Sequence, residues 1–366
     1  MELFDYMQDY GHEQVTFWSD KESGLKAIIA IHSTVLGPAL GGTRIWAYKT
    51  EEEALLDVLR LSEGMTYKAS VAGLDLGGGK AVIIGDPAKI KSEALFRSYG
   101  RFVNSLGGHY ITAEDVGTTV ADMTYVHKET SHVTGLARSE HGSGDPSPLT
   151  AFGVYRGIKA ACKTQLGTDD LQGVTVAVQG LGKVGHCLAE RLAEDGAKII
   201  ATDINPQAAA SLVEKHNITM VEPDEIYDVS CDVFAPCAMG GVINDNTIDR
   251  LRCKIVAGAA NNQLAETHHG DELYTRKILY APDYVINAGG LINVATELGA
   301  YDADEAWRKT AAIYDSILRI IDLAKDEGVA TYKAAHRLAK ARIEVAKQEK
   351  EKSGSNGRQV LEALKI

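Results

Sequence analysis

The chain has 366 residues, 45% of them hydrophobic and 24% charged, with a formal net charge of -12. A chain of this length buries a large core and divides into about two domains. Its acidic balance argues against a nucleic-acid partner, because phosphate backbones are met with clustered lysines and arginines.

The first residues, MELFDYMQDYGHEQ, carry acids where an export signal needs basic residues and an apolar run. No apolar stretch approaches the roughly 18 residues of a membrane span. A cytoplasmic protein without a membrane partner is expected. From Lys26 to Val35 the run KAIIAIHSTV reads as a strand, followed by a glycine-bearing turn at Gly37 to Gly42 and a second strand at TRIW. Thr50 and Glu53 form a capping-box pattern ahead of a helix to about Tyr67, which delivers Lys68 at its end. After GLDLGGGK comes AVIIGDP, a short strand closed by a turn, then an amphipathic helix from Ser92 to Leu106 and a strand at His109 to Asp115. The stretch HGSGDPSPL, His141 to Leu149, is the candidate hinge.

Beyond it, helical segments alternate with VTVAVQ, AKIIATD, ITMV, DVFAPCA, KIVAGAA and ILYAPD. Such alternation predicts parallel strands joined by crossover helices in a doubly wound sheet. The expected fold is α/β with two domains. An N-terminal α/β substrate and oligomerisation domain covers 1–135, and a Rossmann dinucleotide-binding domain covers 136–330. Helices over 331–366 pack back on the first.

Gly180-Leu181-Gly182-Lys183-Val184-Gly185 directly follows the strand Val174 to Gln179 and opens a helix. The first glycine permits the tight turn, the second lets backbone approach a pyrophosphate, and the third allows close helix packing. Asp203 ends the next strand, where an acid hydrogen-bonds ribose hydroxyls and repels a 2′-phosphate. The spacing predicts NAD.

Gly77-Gly78-Gly79-Lys80 is not a phosphate loop, since Leu74 and Ala81 stand where that motif needs a glycine and a hydroxyl. It reads either as a structural turn with a surface lysine or as a lysine presented to a substrate by bare backbone. Lys68, twelve residues earlier, could share the cleft, and two close ammonium groups would lower each other's proton affinity. Asp115 would complete a lysine-lysine-carboxylate set. The five cysteines lack C-x-x-C spacing and read as free thiols. His268 and His269 are neighbours expected to point different ways, and no metal site is expected.

LDLGGGKAVIIGDP closely resembles the signature of the glutamate, leucine, phenylalanine and valine dehydrogenase family, and the resemblance extends through GGTRIW, EGMTYK, YITAEDVGT, VQGLGKVG, AGAANNQL and NAGGLINV. It implies NAD-dependent oxidative deamination of an amino acid to a 2-oxo acid and ammonia, by a homo-oligomer, an octamer in the family pattern. Lys80 matches the catalytic lysine that activates water, and Asp115 the carboxylate that exchanges protons with the amino group. Lys68 matches the lysine holding the substrate carboxylate, helped by Asn262. Thr150 and Asn261 correspond to positions near the nicotinamide, Gly41 and Gly42 lie by the substrate, and Gln179 to Gly185 with Asp203 hold the remaining dinucleotide. Each also has a plainer reading: Thr150 as a helix cap, the asparagines as turn residues, the glycines as backbone geometry.

Glutamate enzymes of the family place a lysine and a serine where this chain has Leu40 and Val294. A γ-carboxylate would be left unpaired there, at a cost of several kcal/mol. Leu40, Ala113, Leu291 and Val294 are expected to form an aliphatic pocket for a branched-chain amino acid. Their alternative is ordinary core packing. A phenylalanine-accepting pocket is the rival within the family, and a non-catalytic NAD-binding sensor the rival outside it.

Overall fold

The computed structural model describes residues 2–140, 142–299 and 301–363; His141 at the head of the expected hinge and residues 364–366 of the expected C-terminal helices lie outside the described residues. The chain folds as two compact α/β units, Met1–Gly142 with Arg337–Ile366, and Ser143–His336. Among the described residues no helix is long and apolar enough to cross a membrane.

The first unit is built on a five-stranded mixed sheet: β1 (Gln14–Asp20), β2 (Leu25–Ser33), β3 (Ala39–Trp46), β4 (Gly77–Ile84) and β5 (Tyr110–Glu114), in the order β1-β2-β4-β3-β5. The first two pairings are antiparallel, and β3 is parallel to both β4 and β5. Two sequence expectations are corrected here. The turn assigned to Gly37–Gly42 ends at Ala39, so Gly41 and Gly42 are strand residues. The run Gly77–Gly79 is itself strand rather than turn, pairing with β2 and β3, and Lys80 is buried rather than on the surface. Strand β1 had no counterpart in the sequence reading, because its partly exposed QVTFWSD lacks an apolar run.

Strand alternation divides the sheet. Ile28, Ala30 and Val82 face the helix Glu51–Val71 through Ala54, Val58 and Leu59, while Ile29, Ile31, Ala81 and Ile83 face the helix Glu93–Ser105. The Thr50 hydroxyl caps the first helix through Glu53 N–H, but Glu53 accepts from Lys49 N–H, so half of the expected capping box forms. Ser92 caps the second helix through Leu95 N–H. Where the Thr331–Ala363 helix belongs to this unit, the Ala339 carbonyl accepts the Ser70 hydroxyl at 2.8 Å, and Arg342 donates to the Ser70 and Leu74 carbonyls.

The second unit is a wholly parallel six-stranded sheet of β6 (Thr175–Gln179), β7 (Lys198–Thr202), β8 (Thr219–Met220), β9 (Val233–Pro236), β10 (Ile255–Val256) and β11 (Leu279–Tyr280), in the order β11-β10-β9-β6-β7-β8. Counted from β6, this is the 3-2-1-4-5-6 order of the Rossmann fold, whose ligands bind at the carboxyl ends of the strands where the order reverses. The reversal lies between β6 and β9. The Lys183–Glu194 helix starts directly beyond β6.

Candidate active site

In the first unit, Lys80 shares its side of β4 with Val82, facing the Glu51–Val71 helix, and Arg44 pairs with Val82 across β3. Ala113 pairs with Gly42, and Asp115 follows two residues later. A period of two therefore brings Lys80, Arg44 and Asp115 to one face, where the helix supplies Asp57. Asp115 Oδ2 accepts from Lys80 Nζ at 3.0 Å and from Arg44 Nε at 3.1 Å. Arg44 Nη1 reaches Asp57 Oδ2 at 3.0 Å, and the Tyr48 hydroxyl donates to the same oxygen at 2.5 Å.

Burial alone would push the Asp115 carboxyl up, but the Lys80 ammonium and the Arg44 guanidinium hold it below its ordinary value. Burial, with the neighbouring Asp57 carboxylate, pushes the Tyr48 phenol upward, which keeps it a neutral donor. Lys80 thus stands against an anion, the Asp115 carboxylate of the expected lysine-lysine-carboxylate set. Its side chain is 7% exposed. Lys68 lies half-buried in the last turn of the Glu51–Val71 helix. Arg44, Asp57 and Tyr48 went unassigned in the sequence. A charged residue two places from Gly42 in a buried strand was the available signal.

The glycines around Lys80 serve packing. A Cβ on Gly77 would strike the Ser33 carbonyl, on Gly78 the Thr66 backbone, and on Gly79 the Tyr110 ring. One on Gly41 would strike the Gly79 carbonyl. Leu40 and Ala113 are buried on the face that carries Lys80. Leu291 and Val294, one turn apart on the Gly289–Ala295 helix, are buried in the second unit.

In the second unit, Gly180 takes φ +95° against Ala238, and a Cβ on Gly185 would strike the Gly180 carbonyl, so turn geometry and packing explain both. Gly182 is different. Its backbone is extended, with φ -61° and ψ -174°, and a Cβ there would meet no atom within 4 Å. It opens on a cleft of about 520 Å³ lined by Leu181, Lys183, Asp203, Asp145 and Ser147. Space kept clear at a helix N-terminus fits a pyrophosphate. Asp203 Oδ2 accepts the Leu181 N–H at 2.6 Å and Oδ1 the Asn205 N–H at 2.7 Å, leaving lone pairs for ribose hydroxyls. Gln179 donates to the Tyr227 hydroxyl, and its buried Oε1, like the Thr202 hydroxyl beside it, has no hydrogen-bond partner among the described residues. Lys183 pairs with Asp145 at 3.3 Å, and Val184 is half-buried in the first helical turn. These residues fit a dinucleotide.

Thr150 is no cap: the helix begins at Ser147, and the Thr150 hydroxyl donates to the Pro146 carbonyl at 3.0 Å. Asn261 Oδ1 accepts from Asn287, and exposed Asn262 takes the left-handed φ of +51° that asparagine tolerates. All five cysteines are free thiols. The expectation that His268 and His269 diverge is overturned, since both turn Nε2 toward Asp245 Oδ1.

A reversal-point glycine cradle in one α/β unit, with a buried lysine-carboxylate pair in another, is the equipment of a two-domain dinucleotide-dependent amino acid dehydrogenase. The chain belongs to the glutamate/leucine/phenylalanine/valine dehydrogenase family: the profile of its dimerisation domain matches residues 12–132, and that of the family's dehydrogenase region matches 142–205 and 204–351. A leucine dehydrogenase of Geobacillus stearothermophilus is 57% identical over 361 residues, 99% of this chain and 98% of that one. A phenylalanine dehydrogenase of Caldalkalibacillus thermarum is 51% identical over 346 residues, 93% of each. The crystal structure of L-tryptophan dehydrogenase from Nostoc punctiforme superposes with a TM-score of 0.84 at 48% identity, over 94% of this chain and 99% of that one.

Proposed function

We propose that the protein catalyses the reversible, NAD-dependent oxidative deamination of L-leucine and related branched-chain amino acids to 2-oxo acids and ammonia. The observation that carries this reading is the buried Lys80–Asp115 pair, whose shared oxygen is also held by Arg44. Asp115, kept anionic, takes a proton from the substrate ammonium and returns it in reverse. Lys80 orients water at the substrate α-carbon and moves its proton. Lys68 and Asn262 hold the substrate carboxylate, and the backbone at Gly41 and Gly42 lies beside it.

The dinucleotide is held by Gln179, Gly180, Leu181, Gly182, Lys183, Val184, Gly185 and Asp203, with Thr150 and Asn261 toward the nicotinamide. When bound it accepts the hydride from the α-carbon. The Asp203 carboxylate disfavours a 2′-phosphate and supports NAD over NADP. Leu40, Ala113, Leu291 and Val294 line the side-chain pocket and leave a γ-carboxylate without a partner. The assembly is a cytoplasmic homo-oligomer, an octamer in the family pattern. Phenylalanine is the second substrate reading, supported by the relative at 51% identity.

The test is formation of reduced cofactor from NAD and from NADP across a panel of amino acids and 2-hydroxy acids. Leucine, valine or isoleucine with NAD is expected to give the highest kcat/KM. Preference for phenylalanine overturns the substrate assignment, and turnover of hydroxy acids overturns the reaction.

A further inference from the structure

The segment after Ile243 is tied to the start of the Thr267–Thr275 helix by an isolated parallel bridge between Ile243 and Leu264. Ile243 N–H donates to the Gln263 carbonyl at 3.0 Å, and Ala265 N–H donates to the Ile243 carbonyl at 2.9 Å. This tie sets Asp245 over two adjacent histidines in the helix's first turn. Asp245 Oδ1 lies 2.9 Å from His269 Nε2 and 3.6 Å from His268 Nε2, and the two imidazole rings are 4.0 Å apart. The three donor atoms lie within 4.8 Å of one another.

We propose that Asp245, His268 and His269 bind one divalent transition-metal ion of the zinc type, with a coordination position open to water. Tetrahedral bonds of ~2.0–2.2 Å separate ligand atoms by about 3.3–3.5 Å, a span that the two Asp245–histidine distances bracket. Drawing the three donor atoms from within 4.8 Å of one another to that span closes the set on such an ion. Two imidazoles and one carboxylate suit zinc, cobalt or nickel, whereas calcium and magnesium take mostly oxygen ligands.

The outer shell is also present. His269 is buried, and its Nδ1 lies 3.0 Å from the Glu266 N–H and 3.1 Å from the Glu266 carbonyl. In one tautomer Nδ1 accepts the amide and Nε2–H donates to Asp245. In the other, Nδ1–H donates to the carbonyl and Nε2 offers its lone pair to a metal, the arrangement usual for ligating histidines. Exposed Asp245 and His268 give the ion its entry path. Glu190, Glu194 and His216 form another convergent group, but Lys215 already brings a cation to Glu190 at 3.6 Å. The bound ion staples the Asp245 turn to the helix and takes no part in the reaction proposed above.

The test titrates the full-length, metal-stripped protein with Co²⁺. One equivalent is expected, with a visible d–d spectrum of low coordination number, displaced by Zn²⁺. Zinc is expected to raise the thermal midpoint by mass action. Asp245→Ala and His268→Ala, both at exposed positions, are each expected to weaken binding at least about tenfold while leaving circular dichroism and metal-free cofactor reduction unchanged. Uptake without saturation, or binding that these variants leave intact, overturns the proposal.

Discussion

The protein carries two glycine runs, one in each unit, and they are glycine for different reasons. Around Lys80 the reason is internal: each of Gly77, Gly78 and Gly79 sits where a Cβ would strike Ser33, Thr66 or Tyr110. At Gly182 the protein makes no such demand, since the space is open and the backbone extended. A glycine that the fold does not need marks where something else must fit. The first run lets a helix and an aromatic ring press onto the strand that aims Lys80; the second keeps a helix N-terminus bare.

The largest expected effect tests what the first run delivers. Lys80→Ala is expected to lower kcat by about 10²–10⁴-fold while dinucleotide affinity, measured by fluorescence quenching, stays near that of the parent. Residual turnover within tenfold would remove Lys80 from the reaction. Gly78→Ala and Gly182→Ala then break the comparison directly. The first is expected to cost about 3 kcal/mol of stability by overpacking against Thr66. The second should change denaturant stability by about 1 kcal/mol or less, yet weaken dinucleotide binding about tenfold or more. Equal losses of stability would erase the distinction.

The packing around the first run also carries a pH dependence. His32 Nε2 donates to the Tyr10 carbonyl, which can only accept, so Nδ1 takes the hydroxyl of Thr66, the residue that crowds Gly78. Burial, reinforced by His12, pulls the His32 imidazole down to about 4. Between that value and the ordinary 6.5, the unfolded chain binds a proton that the native one refuses. Stability therefore falls as pH drops from about 6.5 to about 4, by up to about 3 kcal/mol. His32→Asn is expected to flatten this part of the stability profile, whatever its effect at neutral pH, and an unchanged slope counts against the assignment.

A smaller effect concerns the charges linked to Lys80 and Asp115: Arg44 from β3, Asp57 from the Glu51–Val71 helix, and the neutral Tyr48 phenol. Arg44→Met removes a positive charge and is expected to move the acid limb of kcat/KM upward by on the order of one pH unit. Asp57→Asn removes a negative one and moves it downward. The double variant should return near the parent, and shifts of the same sign in both single variants would refute this electrostatic account.

The second unit was the more legible in sequence. Its central strands β6 and β9 are buried on both faces and read as short apolar runs, and the Gly180–Gly185 spacing follows the first directly. The first unit hid more. The partly exposed β1 shows no apolar run, and a glycine run that looks like a turn is a central strand whose neighbours crowd it. Lys80 and Asp115 could be named, but the Arg44–Asp57 link between them and the helix depends on registers that sequence does not state. The Asp245–histidine cluster was illegible for a related reason: residues i and i+1 diverge on a regular helix, and only the bridge from Ile243 brings an acceptor above both rings.

The Asp203 carboxylate is tied down from both sides, with Leu181 and Asn205 amides on its two oxygens. The group proposed to discriminate between cofactors is thus also a clasp for the glycine loop. Redesign of cofactor choice inherits that dual duty. Asp203→Ser replaces two charged oxygens, each holding one amide, with a single neutral one, so NAD affinity is expected to fall about tenfold while the loosened N–H groups favour a phosphate and narrow the gap to NADP. Separate titrations with the two cofactors measure this, and an unchanged ratio would move the discrimination elsewhere. Recovering full grip on a new cofactor then calls for a second substitution that re-clasps the loop.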